Sequence, residues 1–251
     1  MKLGYSNAIL QSGSALSFAG TVDTSLAYLK DGRPGGLCEV TASGAQNLDI
    51  TWSTPVRARV GALINVSYAV GTSITAVLKI QSSSFATQSQ TQQVVLTASG
   101  DKCVFFTWDV ANIDGIRFTL PNGNATIGEA WLSPALDNCI RSSWSSGVGD
   151  IGQDVSLSGS LYVTPAVPRR VVVAEFAPRP YDTDFEAFRA AQLAISGDPR
   201  IVIVPDDKTQ SAVESTGMYA RATSIGRLEG SAVGRYFSFG VTAEEMPGRE
   251  P

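Results

Sequence analysis

The chain has 251 residues, enough for one large domain or two ordinary ones, each with a core that needs no metal or disulfide. Hydrophobic residues make up 43% of it and charged residues 17%, a composition too apolar for a disordered chain. The net charge is -4 and no stretch is dense in lysine and arginine, so we expect no nucleic-acid partner. No run approaches the ~18 apolar residues of a membrane span, and none is predicted.

The first half of the chain has the pattern of antiparallel strands. Residues 16–132 are rich in Ser, Thr, Gly, Gln and Val, with short apolar runs, turn residues between them and no helical period. The candidate strands are 48–52, 57–68, 74–81, 93–96, 103–109, 115–120 and 127–132. Short strands at this spacing favour a sandwich or jelly roll. We therefore predict a mainly β protein with an N-terminal β-sandwich domain over residues 1–137.

A loop-like stretch follows the sandwich. Residues 142–150 are rich in Ser, Gly and Asp and contain Trp144, which we interpret as an anchor between domains or a contact for a neighbouring subunit. We place the domain boundary near Asn138. The second domain, residues 138–251, is predicted to be an antiparallel β domain with one helix.

The elements of the second domain follow the order ββαβββ. Alternation over 157–163 and 170–176 predicts a hairpin. A helix is predicted from the N-cap Asp182 to Gly197, with one apolar face formed by Phe185, Phe188, Ala191 and Ile195. A buried strand at 201–204, a polar loop at 208–217 and a final strand pair at 218–229 and 234–243 complete the domain.

Catalytic and metal-binding patterns are scarce. Histidine is absent, which excludes Ser/His and Cys/His nucleophilic pairs and every histidine metal site. Acidic residues are scattered, and the sequence identifies no pair of catalytic carboxylates. Cys38, Cys103 and Cys139 are widely spaced, and we interpret them as small buried hydrophobic side chains. We therefore predict a protein without enzymatic activity, cofactor or bound metal.

Three weaker patterns have structural interpretations. Asp109, Asn112 and Asp114 carry oxygen ligands that would suit Ca²⁺, but they are interpreted as turn residues. The Gly-rich segment 31–36 lacks the Lys-Ser/Thr pair of a phosphate-binding loop and is interpreted as a tight surface loop. Two tryptophans in or at the end of apolar strands are expected in the core rather than in a sugar-stacking platform, namely Trp52 and Trp131.

Several stretches resemble tail proteins of long-tailed bacteriophages and prophages. Those in the first half are LAYLKDGRPG at 26–35, LDITW at 48–52 and VGALINV at 60–66, together with the closing strands 116–120 and 127–132. They resemble the galactose-binding-like jelly rolls of that family. In the second half, 159–163, 169–173, 201–206 and 234–239 are similar to its tube-like domain, with the domain order reversed.

The resemblance implies a non-enzymatic structural component of a siphophage-type tail tip or baseplate, made in the host bacterial cytoplasm and located in the virion. Its implied partners are the tube, tape-measure, hub and fibre proteins, and copies of the chain would form a ring. The start of the chain lacks the apolar core of a signal peptide, which agrees with cytoplasmic synthesis.

The candidate contacts between subunits are Trp144, Arg221, Arg227, Arg235 and the loop 208–217. An alternative function is a carbohydrate-binding module that contacts a glycan on the host surface, with exposed aromatic and polar side chains at one end of the sandwich. A third hypothesis, a glycan-degrading enzyme, has no visible acid pair to support it.

Overall fold

The computed structural model describes residues 1–11, 13–80, 84–85, 87–137, 139–148, 152–155, 161–164, 168–226, 229–230 and 236–246. The protein is mainly β, as the sequence predicts. The strands are β1 Lys2–Tyr5, β2 Ser14–Phe18, β3 Thr21–Val22, β4 Cys38–Ala42, β5 Gln46–Val66, β6 Ser73–Lys79, β7 Thr87–Gln93, β8 Val95–Leu96, β9 Lys102–Leu120, β10 Gly123–Ser133, β11 Ala135–Asp137, β12 Cys139–Val148, β13 Gly152–Val155, β14 Leu161–Thr164, β15 Pro168–Pro180, β16 Arg200–Val204, β17 Met218–Ile225, β18 Glu229–Gly230 and β19 Tyr236–Glu245.

The described helices are α1 Tyr181–Gly197 and α2 Gln210–Thr216, with short 3₁₀ helices at Ala8–Leu10 and Leu26–Lys30. Neither α1 nor α2 is long and apolar enough to cross a membrane, and the same holds for every helix in the described part of the chain.

The first sheet folds over into a β-sandwich, because its two longest strands, β5 and β9, bend. Its order is β3-β4-β10-β5-β9-β6-β7, with β2 paired to β5 and β8 to β9. The first part of β5 pairs with β2, and its last part pairs with β10, so one strand serves both layers. Register shifts in β5 separate the two parts and allow the strand to bend. Alternate side chains of these strands enclose one large apolar core.

The second sheet has the order β11-β1-β16-β17-β19-β15-β12, with β18 paired to β19. Helix α1 packs on one face through the predicted residues Phe188, Ala191 and Ile195, which are buried. The Phe188 ring meets the rings of Phe176 and Phe239 edge to face, with centroids 5.3 and 5.7 Å apart. Phe185 is partly buried against the same cluster. The helical face is therefore confirmed.

The two sheets share a third apolar cluster. Strand β16 is buried on both faces, because Ile201 and Ile203 face the α1 side while Val202 and Val204 face the first sheet. This explains its continuous apolar run. The Trp131 ring of β10 meets Tyr219 of β17 edge to face at 6.0 Å between centroids. The cluster consists of Val60, Ala62, Ile64, Cys103, Phe105, Trp131, Val202, Val204, Val213 and Tyr219.

The two sheets do not follow the predicted domain boundary between residues 137 and 138. Strands β1 and β11 lie within residues 1–137 yet pair with each other in the second sheet, where β1 also pairs with β16. The two ends of the N-terminal segment therefore complete the sheet of the second segment. Asn138 itself lies outside the described residues.

Several predicted elements are wrong in detail. Residues 48–52 and 57–66 belong to one strand, β5, which ends two residues before the end of the predicted strand 57–68. Residues 103–109 and 115–120 likewise belong to one strand, β9, because bulges replace the expected turns. Most of the expected loop at 142–150 is strand β12, which pairs with β15. The expected hairpin is replaced by two pairings, β13 with β14 and β12 with β15.

A second helix, α2, lies within the expected polar loop 208–217, so the described part of the chain has two α-helices instead of the predicted one. The Thr209 hydroxyl accepts a hydrogen bond from the Ala212 N–H at 3.2 Å and caps the helix.

Candidate functional site

An open cleft lies at the bend of β5. Pro55 has no N–H to donate to a ladder, and the pairing of β5 with β9 shifts register between Thr51 and Val56. The intervening residues Ser53, Thr54 and Pro55 are exposed as a result. At this bend, in the middle of β5, the hydroxyl groups of Ser53 and Thr54 are therefore exposed.

The other wall of this bulge cleft comes from the residues before β2. Its cavity volume is about 180 Å³, and its described lining is Gln11, Gly13, Trp52, Ser53, Thr54, Pro55 and Val56. Gly13 has φ +98°, a conformation that favours glycine, and a Cβ there would lie 3.6 Å from the Ser53 hydroxyl. The lining is polar but carries no charged side chain.

Trp52 joins the cleft to the sandwich core. Its side chain is 7% exposed, and its indole N–H donates to the Ala8 carbonyl at 3.2 Å. Ser14 lies opposite Trp52 in the β2–β5 pairing, and its hydroxyl donates to the Ile9 carbonyl at 2.8 Å. The prediction of a core tryptophan is confirmed, and the residue also lines the cleft.

Residues 7–11, here called the N-terminal turn, connect the cleft to a buried polar cluster. Asn7 caps the 3₁₀ helix by accepting from the Ile9 N–H at 3.1 Å, and it also accepts from the Leu132 N–H at 3.1 Å. Its amide donates to the Ala130 carbonyl at 2.9 Å and to Glu129 Oε1 at 3.1 Å. All four hydrogen-bonding positions of the Asn7 side chain are therefore used.

Glu129 is the centre of that cluster and is fully buried between the two sheets. The Tyr219 hydroxyl donates to its Oε2 at 3.3 Å, and the Arg200 Nη1 lies 3.7 Å from its Oε1. Burial raises the pKa of Glu129 to about 7, against the opposing influence of Arg200, Asn7 and Tyr219. A carboxyl group with this pKa changes charge near neutral pH.

Arg200 connects the Glu129 cluster to residues of both the N-terminal and the second segment, through Gly32 and Asp198. Its guanidinium pairs with Asp198 at 2.5 Å between Nη2 and Oδ2, and its pKa is raised chiefly by that hydrogen bonding. Its Nη1 donates to the Gly32 carbonyl. The Gly-rich loop 31–36 is a tight surface loop, as predicted, with Asp31, Arg33 and Gly35 exposed, and its Gly32 carbonyl also contacts the cluster. Gly128 is required there, since a Cβ would lie 2.1 Å from the Pro34 carbonyl oxygen.

The predicted subunit-contact residues are only partly described. Trp144 lies on β12 opposite Val172, and its side chain is outside the described residues. Arg221 is exposed on β17. Arg227 and Arg235 lie outside the described residues. The described residues do not include enough of this set to test it, and its role stays a prediction.

The candidate Ca²⁺ ligands and the cysteines lie in strands. Asp109, Asn112 and Asp114 lie within strand β9 rather than in a turn. Cys38 and Cys103 are buried with free thiols, which confirms their interpretation, whereas the Cys139 side chain is outside the described residues. Within the described ranges, no three cysteine or acidic side chains are grouped closely enough to hold a metal ion.

Comparison with known proteins gives fold-level similarity. No family model matches the chain, and no curated protein is similar to it. A mutant lectin-binding domain of lectinolysin, complexed with Lewis b, has a TM-score of 0.43 at 10% identity, covering 53% of this chain and 99% of that domain. The likeness lies in the fold.

Two further structures are similar to the same extent. The family 32 carbohydrate-binding module of NanJ from C. perfringens, in complex with galactose, has a TM-score of 0.41 at 16% identity, covering 51% of this chain and 98% of the module. A Streptococcus pneumoniae fucose-binding module has a TM-score of 0.41 at 8% identity, with 51% and 95% covered. The tail-tip assignment stays a prediction from the sequence.

No motif in the sequence predicts Gln11, Ser53, Thr54 or Glu129 as site residues. Pro55 inside an otherwise strand-like run was a signal for the bulge. Glu129 lies in the apolar run 127–132, where a charged residue indicates a buried partner.

Proposed function

We propose that the chain is a carbohydrate-binding protein whose bulge cleft takes a small neutral saccharide. The observation that carries this proposal is the lining of the cleft, where the exposed side chains of Gln11, Ser53 and Thr54 lie beside Trp52. Saccharides offer hydroxyl groups that both donate and accept hydrogen bonds, and ring C–H groups that pack against an aromatic surface. The uncharged lining favours neutral sugars over acidic ones.

The groups of the cleft are available to a ligand. Among the described residues, the side chains of Gln11, Ser53 and Thr54 have no hydrogen-bond partner within the protein. Trp52, by contrast, is fixed by its bond to Ala8 and keeps its position without ligand. Trp52 thus offers a fixed apolar contact, whereas the free polar side chains are ordered only when a ligand binds, at a cost in rotamer entropy.

The experiment is a panel of neutral and acidic saccharides, including galactose, fucose and Lewis b, titrated into ¹⁵N-labelled protein and followed by NMR. We expect shifts at Trp52 and Ser53 with millimolar dissociation constants, and weaker binding by about two- to tenfold in Thr54→Val, which loses one hydrogen bond. Thr223→Val, an exposed strand threonine on the second sheet, is the matched control. Binding that is unchanged in Thr54→Val, or absent with every sugar, would contradict the proposal.

We further propose that this binding protein has no catalytic activity. The absence of histidine from the sequence supports this, because it removes the commonest general acid and base. Release of reducing ends from glycans by the purified protein would contradict it.

Strand β12 favours a second candidate function, the tail-tip structural component. Its ten residues form the last strand of the second sheet, with β15 as its one neighbour among the described strands. A long edge strand can pair with another copy of the chain, as ring assembly in a virion would require. Measurement of mass in solution tests this, since a monomer at all concentrations would oppose self-assembly through this edge.

A further inference from the structure

The bulge cleft is connected to the buried carboxyl group of Glu129 by a single short segment, the N-terminal turn. Asn7 begins the turn, and its side-chain amide donates a hydrogen bond to Glu129 Oε1. Ala8 follows and holds the Trp52 indole through its carbonyl oxygen. Gln11 ends the turn and lines the cleft. A change in the bond between Asn7 and Glu129 therefore acts on both walls of the cleft.

The charge of Glu129 determines the strength of that bond. An ionised carboxylate accepts a charge-assisted hydrogen bond from the Asn7 amide, and such bonds are roughly twice as strong as neutral ones. A protonated carboxyl must also donate, and Asn7 Oδ1 already accepts from two backbone N–H groups. The proton is then directed to the Tyr219 oxygen, and the Asn7 contact weakens.

The charged and titratable groups that face Glu129 come from two elements of the second segment. Arg200 lies on β16 and Asp198 precedes it, with their side chains paired to each other. Tyr219 lies on β17, and burial and the nearby Glu129 carboxylate raise its pKa. Asn7, from the N-terminal turn, is not titratable. Arg200 and Tyr219 keep their protons throughout the neutral range, so Glu129 is the group in this cluster that changes charge there.

Other sources of a neutral titration are few. Histidine is absent from the chain, and the described lining of the cleft has no titratable side chain. Burial raises the pKa of the thiols of Cys38 and Cys103 to about 11 and about 12. Comparison of the wild type with a Glu129 variant therefore tests whether a pH effect on the cleft between pH 6 and 8 comes from this buried carboxyl group.

We propose that Glu129 regulates saccharide affinity in the bulge cleft through the N-terminal turn, with tighter binding when its carboxyl group is ionised. This proposal rests on the proposed saccharide-binding function. Glu129 is a positioning residue, because it contacts Asn7 and not the cleft. The expected gain in affinity is about two- to fivefold between pH 5.5 and 8, the difference between a neutral and a charge-assisted hydrogen bond.

The first test needs no ligand. The Trp52 indole N–H signal, assigned by triple-resonance NMR, is followed from pH 5.5 to 8. We expect it to titrate near neutral pH in the wild type, and to stay constant in Glu129→Gln. Glu39→Gln removes the same charge at an exposed position of the first sheet and should titrate like the wild type. Identical curves in the wild type and Glu129→Gln would overturn the proposal.

The second test measures the dissociation constant of the best saccharide of the panel at pH 5.5 and 8. We expect two- to fivefold tighter binding at pH 8 in the wild type and Glu39→Gln, and no pH dependence in Glu129→Gln. Equal affinity of the wild type at both pH values refutes the regulation while the saccharide function stands. Absence of binding at both pH values with a titrating Trp52 signal refutes the function and supports the coupling.

Discussion

Replacement of Glu129 by glutamine is expected to make the protein more stable above neutral pH. The pKa of this fully buried carboxyl group rises from an ordinary value of 4.5 to about 7, chiefly through burial. A carboxyl group with a raised pKa stabilises the fold while it is protonated. That contribution is complete below pH 4.5 and is lost as the pH rises through about 7.

The magnitude follows from the pKa interval. Each tenfold change in proton affinity corresponds to ~1.4 kcal/mol, so the interval from 4.5 to about 7 corresponds to about 3 kcal/mol. Glutamine has the same shape as the protonated carboxyl group and cannot ionise. Arg200 keeps its partner Asp198 in the variant, so no unpaired guanidinium is created. The difference in stability between the two proteins should be smallest at pH 5 and larger by about 1 to 3 kcal/mol at pH 8.

Urea unfolding followed by tryptophan fluorescence at pH 5, 6, 7 and 8 measures this difference. The free energy of unfolding of the wild type should fall relative to that of Glu129→Gln as the pH rises. Other titrating groups are common to both proteins, so they cancel in the difference. A difference that is constant with pH, or a wild type that gains stability relative to the variant above pH 7, would refute the argument.

Three further predictions concern packing. Gly128→Ala should destabilise the protein by about 1 to 3 kcal/mol, because the new Cβ meets the Pro34 carbonyl oxygen; Gly35→Ala, with open space around it, should melt like the wild type. Trp131→Ala should cost about 3 to 5 kcal/mol in chemical denaturation, since this fully buried ring fills the cluster between the sheets; a smaller loss would mean that the sheets are weakly coupled. The Cys103 thiol should resist a thiol reagent in the native protein and react after unfolding, because burial raises its pKa to about 12; rapid native labelling would contradict its burial.

The alternation of apolar and polar residues predicted the β class and most strand positions of the first sheet. It also predicted the α1 face, since Phe188, Ala191 and Ile195 recur at helical spacing and have no competing pattern. Short-range patterns carry this information because burial on one face repeats with the period of the element. The buried state of Trp52 and Trp131 follows from the same rule.

The pairing of strands and the candidate site could not be predicted in the same way. The serine-rich residues around Trp144 have loop composition, yet they form β12 because β15 offers them a ladder. The bulge cleft depends on the approach of Gln11 to Ser53, two residues far apart in the chain. The importance of Glu129 depends on Arg200 and Tyr219, which approach it only after the sheets pack.

The position of β1 sets an order for folding. This strand is made before its neighbour β16, and Gly4 must pair with Val202, which lies 198 positions later in the chain. The closure of so long a loop is slow, and until it occurs the buried edge of β16 is exposed to other chains. We therefore expect the sandwich to form ahead of the second sheet during synthesis, with refolding of the full chain limited by insertion of β1.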